Sequence, residues 1–291
     1  GVAKNGYPQL SDKNPKTEVK HAGIFINDEI SVDNGRLVIT PGVRLDKYKM
    51  DPNGTLDAEG EAYRKCEQAH SSFNLGGLYK LTDTVSAFAQ YGQGFKVPAY
   101  DLAYLDHNNS LYGYKIVPSD DLAPEESGTF ELGIRGHIDD VFFSGALFHT
   151  EFEQFLSTEL IGMENIINRY TGQETPIQIF QYQNIDSVTI KGVEAAVRYH
   201  INDNFALFAN ASYQDGKNDK TDEYLSSISP LSGTAGFSWE DEQLSAELII
   251  NWAERMDKVN EDHIEIAGYA SLDLLASYQI NDVMQINLAA N

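Results

Sequence analysis

A short turn signal repeats along this chain and limits what it can fold into. It occurs as Tyr79-Lys80-Leu81-Thr82-Asp83, Gly136-His137-Ile138-Asp139-Asp140, Tyr199-His200-Ile201-Asn202-Asp203 and Tyr278-Gln279-Ile280-Asn281-Asp282. Looser copies are Val32-Asp33-Asn34-Gly35 and Trp239-Glu240-Asp241-Glu242. Runs of about ten alternating apolar and polar residues flank each copy. Asn and Asp tolerate the left-handed backbone that tight hairpins need. Short turns of this kind, separated by longer polar segments, describe a sheet with one short-turn end and one long-loop end. That asymmetry belongs to outer-membrane barrels. The predicted fold class is all-β: an antiparallel up-and-down transmembrane β-barrel.

The alternation is plainest around the third turn. Val193, Ala195, Val197 and Tyr199 share one face, and Glu194, Ala196 and Arg198 the other. Leu207, Ala209, Ala211 and Tyr213 continue the apolar face, while Glu247 and Asp273 bring charge to the polar one. Period two over such a length crosses a bilayer at a tilt, and a wet lumen accepts the polar side. About twelve strands are predicted, near 23–31, 36–45, 71–80, 84–92, 127–136, 141–155, 183–200, 204–214, 231–239, 243–253, 268–278 and 283–291. The long loops are then 46–70, 93–126, 156–182, 215–230 and 254–267. Aromatics gather where strands end: Tyr79, Tyr199, Trp239 and Tyr278 before short turns, and Tyr91, Phe152, Tyr213 and Trp252 near the long loops. Two such belts match interfacial girdles; a soluble β-sandwich also places aromatics at strand ends, but with less lopsided loops.

Composition narrows the partners. Of 291 residues, 44 are acidic and 21 basic, a net charge of −23. This argues against nucleic acid, whose phosphates require Lys and Arg. No apolar run is long enough for a transmembrane helix. Cys66 is the single cysteine, so no disulfide forms within the chain. The chain opens in loop-like sequence and stops within a strand, which is the pattern expected of a segment of a longer protein.

The stretch from Tyr91 to Gly136 carries a family resemblance. Gly94-Phe95-Lys96-Val97-Pro98, followed by Tyr100-Asp101-Leu102, resembles the "FRAP" box of TonB-dependent haem and haemoglobin receptors. Pro118-Ser119-Asp120-Asp121-Leu122-Ala123-Pro124-Glu125-Glu126-Ser127 resembles the "NPNL…PE-S" box that follows it. Gly23 to Ile30, Pro41-Gly42-Val43-Arg44-Leu45-Asp46 and Asn184 to Glu194 are similar to further strands of that family, in the right order. Within the boxes Lys96 stands where the family has Arg, Val97 where it has Ala, and Ser-Asp-Asp replaces most of Asn-Pro-Asn. These departures bear on the haem subclass more than on the receptor class.

The resemblance implies a barrel of 22 strands preceded by a plug domain, so residues 1–291 are expected to be a partial barrel domain lacking the plug and the final strands. It implies a Gram-negative outer-membrane location with the long loops extracellular. It also implies uptake of haem, and an energy-transducing TonB complex acting through the plug. Surrounding partners would be outer-membrane lipid and haem or a haemoprotein. Haem would be transported ligand; no cofactor is expected. In haem receptors of this class a His between the two boxes ligates haem, and here that position is His107, the predicted contact for haem iron. Neutral imidazole is a good ligand for haem iron. Tyr100, Tyr104, Tyr112 and Tyr114 lie in the same loop, where tyrosinate can ligate ferric haem and rings can stack on a porphyrin.

Other features carry less. His149 shares a strand face with Glu151 and is expected to face the lumen. His21, His137 and His200 read as strand-entry or turn residues, and His70 and His263 as surface residues. Asp51 to Asp57 resembles a calcium loop but lacks an acidic residue at its twelfth position. The paired carboxylates Asp120-Asp121 and Glu125-Glu126 diverge as neighbours in sequence, and no catalytic motif is present, so no enzyme is expected. The predicted function is TonB-dependent uptake of haem. The alternative is a ferric-siderophore or cobalamin receptor on the same barrel, with a passive porin behind both.

Overall fold

A computed structural model describes residues 16–54, 63–119, 122–167, 172–185, 187–225, 228–260 and 264–291. Its elements are β1 (Glu18–Asn27), β2 (Ile30–Val32), β3 (Leu37–Asp51), β4 (Cys66–Lys80), β5 (Val85–Lys96), a single helical turn α1 (Tyr100–Ala103), β6 (His107–Asn109), β7 (Tyr114–Val117), β8 (Glu125–Ile138) and β9 (Val141–Glu153). They continue with β10 (Phe155–Ile167), β11 (Glu174–Ile185), β12 (Val188–His200), β13 (Phe205–Asn218), β14 (Ser232–Glu240), β15 (Leu244–Ala253), β16 (Tyr269–Asn281) and β17 (Met284–Ala290). The main sheet runs β1-β3-β4-β5-β8-β9-β12-β13-β14-β15-β16-β17, with β2 pairing on β3. These are the expected twelve long strands, arranged as antiparallel neighbours. The sheet is open among the described residues: β1 and β17 end it and do not pair.

Each copy of the repeated turn signal sits at a short connection, and it works in two ways. Asp33, Asn34 and Asp139 adopt the predicted left-handed backbone, with φ of 51°, 53° and 48°. Elsewhere the side chain itself closes the turn. Asn202 Oδ1 accepts the backbone N–H of Asn204 and of Phe205. Asp241 accepts those of Gln243 and Leu244, and Asn281 those of Val283 and Met284. Thr82 does the same for Thr84 and Val85 through its hydroxyl. This is the Asx/ST geometry, in which a short side chain replaces a backbone turn bond. The backbone bonds hold the Asp241 carboxyl below the usual carboxylate range.

Register fixes the two faces. Glu194 lies opposite Ala146 and Ser212, and Val193 opposite Leu147 and Tyr213. On the polar face Gln90 donates to Glu131 at 2.6 Å and Arg198 to Ser238 at 3.0 Å. Thr234 donates to Asn251, which donates to Asp273. The apolar face carries Val193, Val197, Leu147 and Leu132. On the opposite, polar face Gly192 is required: a Cβ would meet the Phe148 ring and the Tyr213 carbonyl, each at 2.5 Å.

Four expectations are corrected. His149 lies opposite Phe130 and Lys191, in line with Leu147, and so belongs to the apolar side of the sheet. Its neighbour in alternation, Glu151, is charged because it lies beyond the apolar band. The predicted strand 183–200 is two strands, β11 and β12. Most importantly, the segments predicted as loops 93–126 and 156–182 build a second sheet, ordered β10-β11-β7-β6. β3 and β4 also run well past their predicted ends, because the backbone ladder continues after apolar alternation stops at Asp46 and Lys47.

Candidate functional site

The two family boxes flank the long connection between β5 and β8, and their residues mostly shape it. The Phe95 ring stacks on His70 at 4.4 Å. Lys96 is exposed and Val97 half-buried, while Pro98 is fully buried. A residue before proline is held extended, which ends β5 and delivers the chain to α1. There Ala99 O accepts the N–H of Leu102 and Ala103 at 3.0 Å each. Leu122 packs with Met50, Ala103 and Tyr104 in a buried cluster at the loop end, joined by Tyr48, Tyr63 and Cys66. Pro124 is half-buried beside Glu125, whose buried carboxylate accepts the N–H of Leu156 at 3.0 Å. The second box thus ties this loop to the start of β10. Asp120 and Asp121 lie outside the described residues, as does His263.

Asn184 makes the tie double. Its carbonyl oxygen accepts the Ala123 N–H at 2.8 Å, and its amide donates to Ala123 O at 3.0 Å and Gln154 O at 2.7 Å. A single side chain therefore joins the β5–β8 connection, the β9–β10 corner and β11. Beyond this clamp, β7 pairs parallel to β11 over Tyr114–Val117 and Gln178–Gln181, and β6 pairs antiparallel to β7. Segments about sixty residues apart in sequence thereby form one small sheet.

That sheet decides which candidate ligands meet. His107 lies opposite Ile116, and Tyr114 opposite Asn109 and Gln178, so both project from one face. The His107 and Tyr114 rings meet edge-on with centroids 6.0 Å apart, and Tyr114 meets Phe180 at 6.4 Å. Asn109 donates to the Tyr114 hydroxyl at 2.9 Å, orienting the phenol. Tyr100 and Tyr112 stand apart from this group; Tyr112 is 80% exposed and Tyr100 44%. Tyr104 is elsewhere altogether. It is 3% exposed, packs on Tyr63 and donates its hydroxyl to Arg64 O at 2.6 Å. In this structure its ring is enclosed and its hydroxyl is committed to a backbone carbonyl, an arrangement that serves packing. Phe180 and Asn109 were not expected at the site. Phe180 falls in the supposed loop 156–182, although Ile177, Ile179 and Gln181 alternating with Gln178, Phe180 and Tyr182 carry a strand signal.

No three His, Cys, Asp or Glu side chains converge to hold a bare metal ion among the described residues. An iron that brings its own porphyrin nitrogens needs only axial partners. The next long loops are latched separately. Lys258 donates to Asp215 at 2.8 Å and to the Tyr213 hydroxyl, and its ammonium lies 5.0 Å from the Tyr213 ring centre. Both bonds push the Lys258 pKa up. Replacing Lys258 by Met keeps the stem and removes the charge. The expected local loss is about 1 kcal/mol, modest because the head is half in solvent. Faster amide exchange across residues 254–260 would register it; unchanged exchange would contradict the latch.

A strand-built wall with short turns at one end, long structured loops at the other and opposed polar and apolar faces defines an outer-membrane type of β-barrel. The chain belongs to the family described as TonB dependent receptor-like, beta-barrel, whose model matches residues 2–291. Members of this family are outer-membrane receptors and transporters of Gram-negative bacteria and are not enzymes. The chain is 25% identical over 284 residues to a hemin receptor of Yersinia enterocolitica, covering 91% of this chain and 39% of that protein. It is 28% identical over 160 residues to hemoglobin and hemoglobin-haptoglobin-binding protein B of Haemophilus influenzae, covering 53% of this chain and 14% of that one. The chain thus spans about two-fifths of the hemin receptor's length. In fold it is similar to the copper transporter OprC, with a TM-score of 0.74 at 18% identity, over 93% of this chain and 41% of that one. The Serratia marcescens hemophore receptor HasR gives 0.70 at 16% identity, over 92% and 47%.

Proposed function

We propose that this chain is the loop-bearing part of a receptor for TonB-dependent uptake of haem, with its long loops extracellular. The observation that carries the reading is the shared face of His107, Tyr114 and Phe180 on the loop sheet. His107 supplies a neutral imidazole to the haem iron, and the aromatic rings beside it offer faces to the porphyrin. Receptors named for hemin and for hemoglobin–haptoglobin among the relatives support the same ligand. Nothing covalent is required: loops capture haem or take it from a haemoprotein, and passage follows when the TonB complex acts on the plug of the whole receptor.

The test is the Soret band of the full-length receptor in detergent, titrated with haem. Wild type is expected to shift the band, and His107→Ala to weaken binding by roughly tenfold, the loss of about 1.4 kcal/mol of ligation. Tyr114→Phe keeps the ring and is expected to bind nearly as well. An unchanged titration in His107→Ala would remove His107 from the iron. Absence of any Soret shift in wild type would overturn the haem reading and leave a ferric siderophore as ligand on the same loops.

A further inference from the structure

The loop sheet sorts its side chains by charge. Cross-strand rows run His107–Ile116–Phe180–Leu160 and Asn109–Tyr114–Gln178–Met163, with Tyr182–Thr158 to one side of them and Pro176–Asn165 to the other. These residues share the face that holds the His107 and Tyr114 rings. The register steps over Ile161, which keeps Leu160 and Met163 on that face together. No residue in these rows is charged, in a chain of which 22% is Asp, Glu, Lys or Arg. Lys115, Glu159 and Glu164 fall on the reverse, where Lys115 pairs with Glu164.

The uncharged side is the open one. Met163 is 67% exposed and Leu160 48%, and Thr158, Pro176 and Gln178 are exposed beside them, whereas Ile177 on the reverse is 1% exposed. A sheet with one wet face ordinarily turns its polar and charged residues to that face. An open face that carries a leucine, a methionine and aromatic rings, and no charge, fits a ligand surface that is itself apolar. Strand spacing sets His107 about 14 Å from the Leu160–Met163 edge, too far for one porphyrin to be centred on the imidazole and still cover β10. The face therefore offers a second position beside the one at His107.

Charge also decides which part of a ligand lies there. A carboxylate laid on this face would give up water and meet no ammonium or guanidinium in return. The Asn109 amide does not stand in for one, because it is already donated to the Tyr114 hydroxyl at 2.9 Å. A polyanionic ferric catecholate is worse suited still, since strong recognition of such a group calls for Arg or Lys. The flat side of a porphyrin has neither problem: it is apolar, and it stacks on rings.

We propose that the β10–β11 half of this face, with Leu160, Met163 and Phe180, is a landing position for the flat side of a porphyrin. The ring docks there without ligation of its iron and with its carboxylates in water, then moves along the sheet past Tyr114 to His107. This deepens the haem reading and rests on it.

The test uses the full-length receptor in detergent with two probes: metal-free protoporphyrin followed by its fluorescence, and haem followed by stopped flow. Metal-free protoporphyrin is expected to bind wild type and His107→Ala alike. Met163→Asp, at an exposed position, is expected to weaken it about tenfold by setting a charge under the ring, and Met163→Leu to keep it. Met163→Lys is expected to weaken it as well. Tighter binding in that variant would put the carboxylates over β10 and overturn the proposal. With haem, Met163→Asp is expected to slow association and to reach the wild-type Soret spectrum in the end, since His107 is untouched; that spectrum also reports an intact fold. Loss of protoporphyrin binding in His107→Ala, or undiminished binding in Met163→Asp, would each overturn the landing position and leave haem ligation at His107 standing. A receptor that binds neither haem nor protoporphyrin, and takes a ferric catecholate instead, would overturn the haem reading itself, and the landing position with it.

Discussion

Replacing Tyr104 by Ala is expected to destabilise the loop end by about 3–5 kcal/mol, the usual cost of emptying a buried aromatic site. The ring fills the centre of the cluster formed with Met50, Ala103 and Leu122, and its hydroxyl satisfies Arg64 O. Removing it leaves a cavity and an orphaned carbonyl together. Tyr104→Phe keeps the ring and loses only the hydrogen bond, about 1 kcal/mol. The pair separates packing from ligation. If Tyr104 holds structure, the Phe variant binds haem as wild type does, while the Ala variant shows rapid amide exchange across residues 97–119. Were Tyr104 an iron ligand, the Phe variant would lose the phenolate and change the haem spectrum with the fold intact.

Asn184→Ala is expected to release the loop sheet from the wall, at a cost of about 2–4 kcal/mol. Three hydrogen bonds disappear, and the two carbonyls and one N–H they served are left to water or to nothing. Asn184→Asp should be no better, because a carboxylate can accept from Ala123 N–H but cannot donate to Ala123 O or Gln154 O. Limited proteolysis of the full-length receptor would show it, with new cleavage in both connections at once. Cleavage confined to one connection would mean that the clamp does not couple them.

Much of the wall was legible in the sequence because hydrophobic alternation and turn chemistry act locally. Every recurrence of the turn signal marks a short connection, and the strand number follows from it. What the alternation did not report was the continuation of β3 and β4 above the apolar band, where Asp46, Lys47 and Lys49 keep the ladder but break the pattern. The loop sheet was hidden for a different reason. β7 has four residues and finds its parallel partner in a distant segment, so no window of sequence contains the pairing. Among the proposed ligands, sequence gave equal standing to every tyrosine in the loop. Burial alone separates Tyr104 from the rest, and burial depends on Met50, which comes from a distant part of the chain. Glu125 and Asn184 were visible as motif letters, but the bonds that explain them cross between loops.

The parallel ladder between β7 and β11 has a consequence for how such loops are exchanged. Tyr114–Val117 and Gln178–Gln181 must keep one register, and Asn184 must still meet Ala123. Neither connection is therefore a cassette by itself. A chimera that imports the β5–β8 connection from a relative needs the β9–β12 connection from the same donor, or its strand finds a mismatched neighbour. Insertions are expected to be tolerated outside the pairing segments and not within them. The unit of inheritance, and of engineering, is the two connections taken as one part.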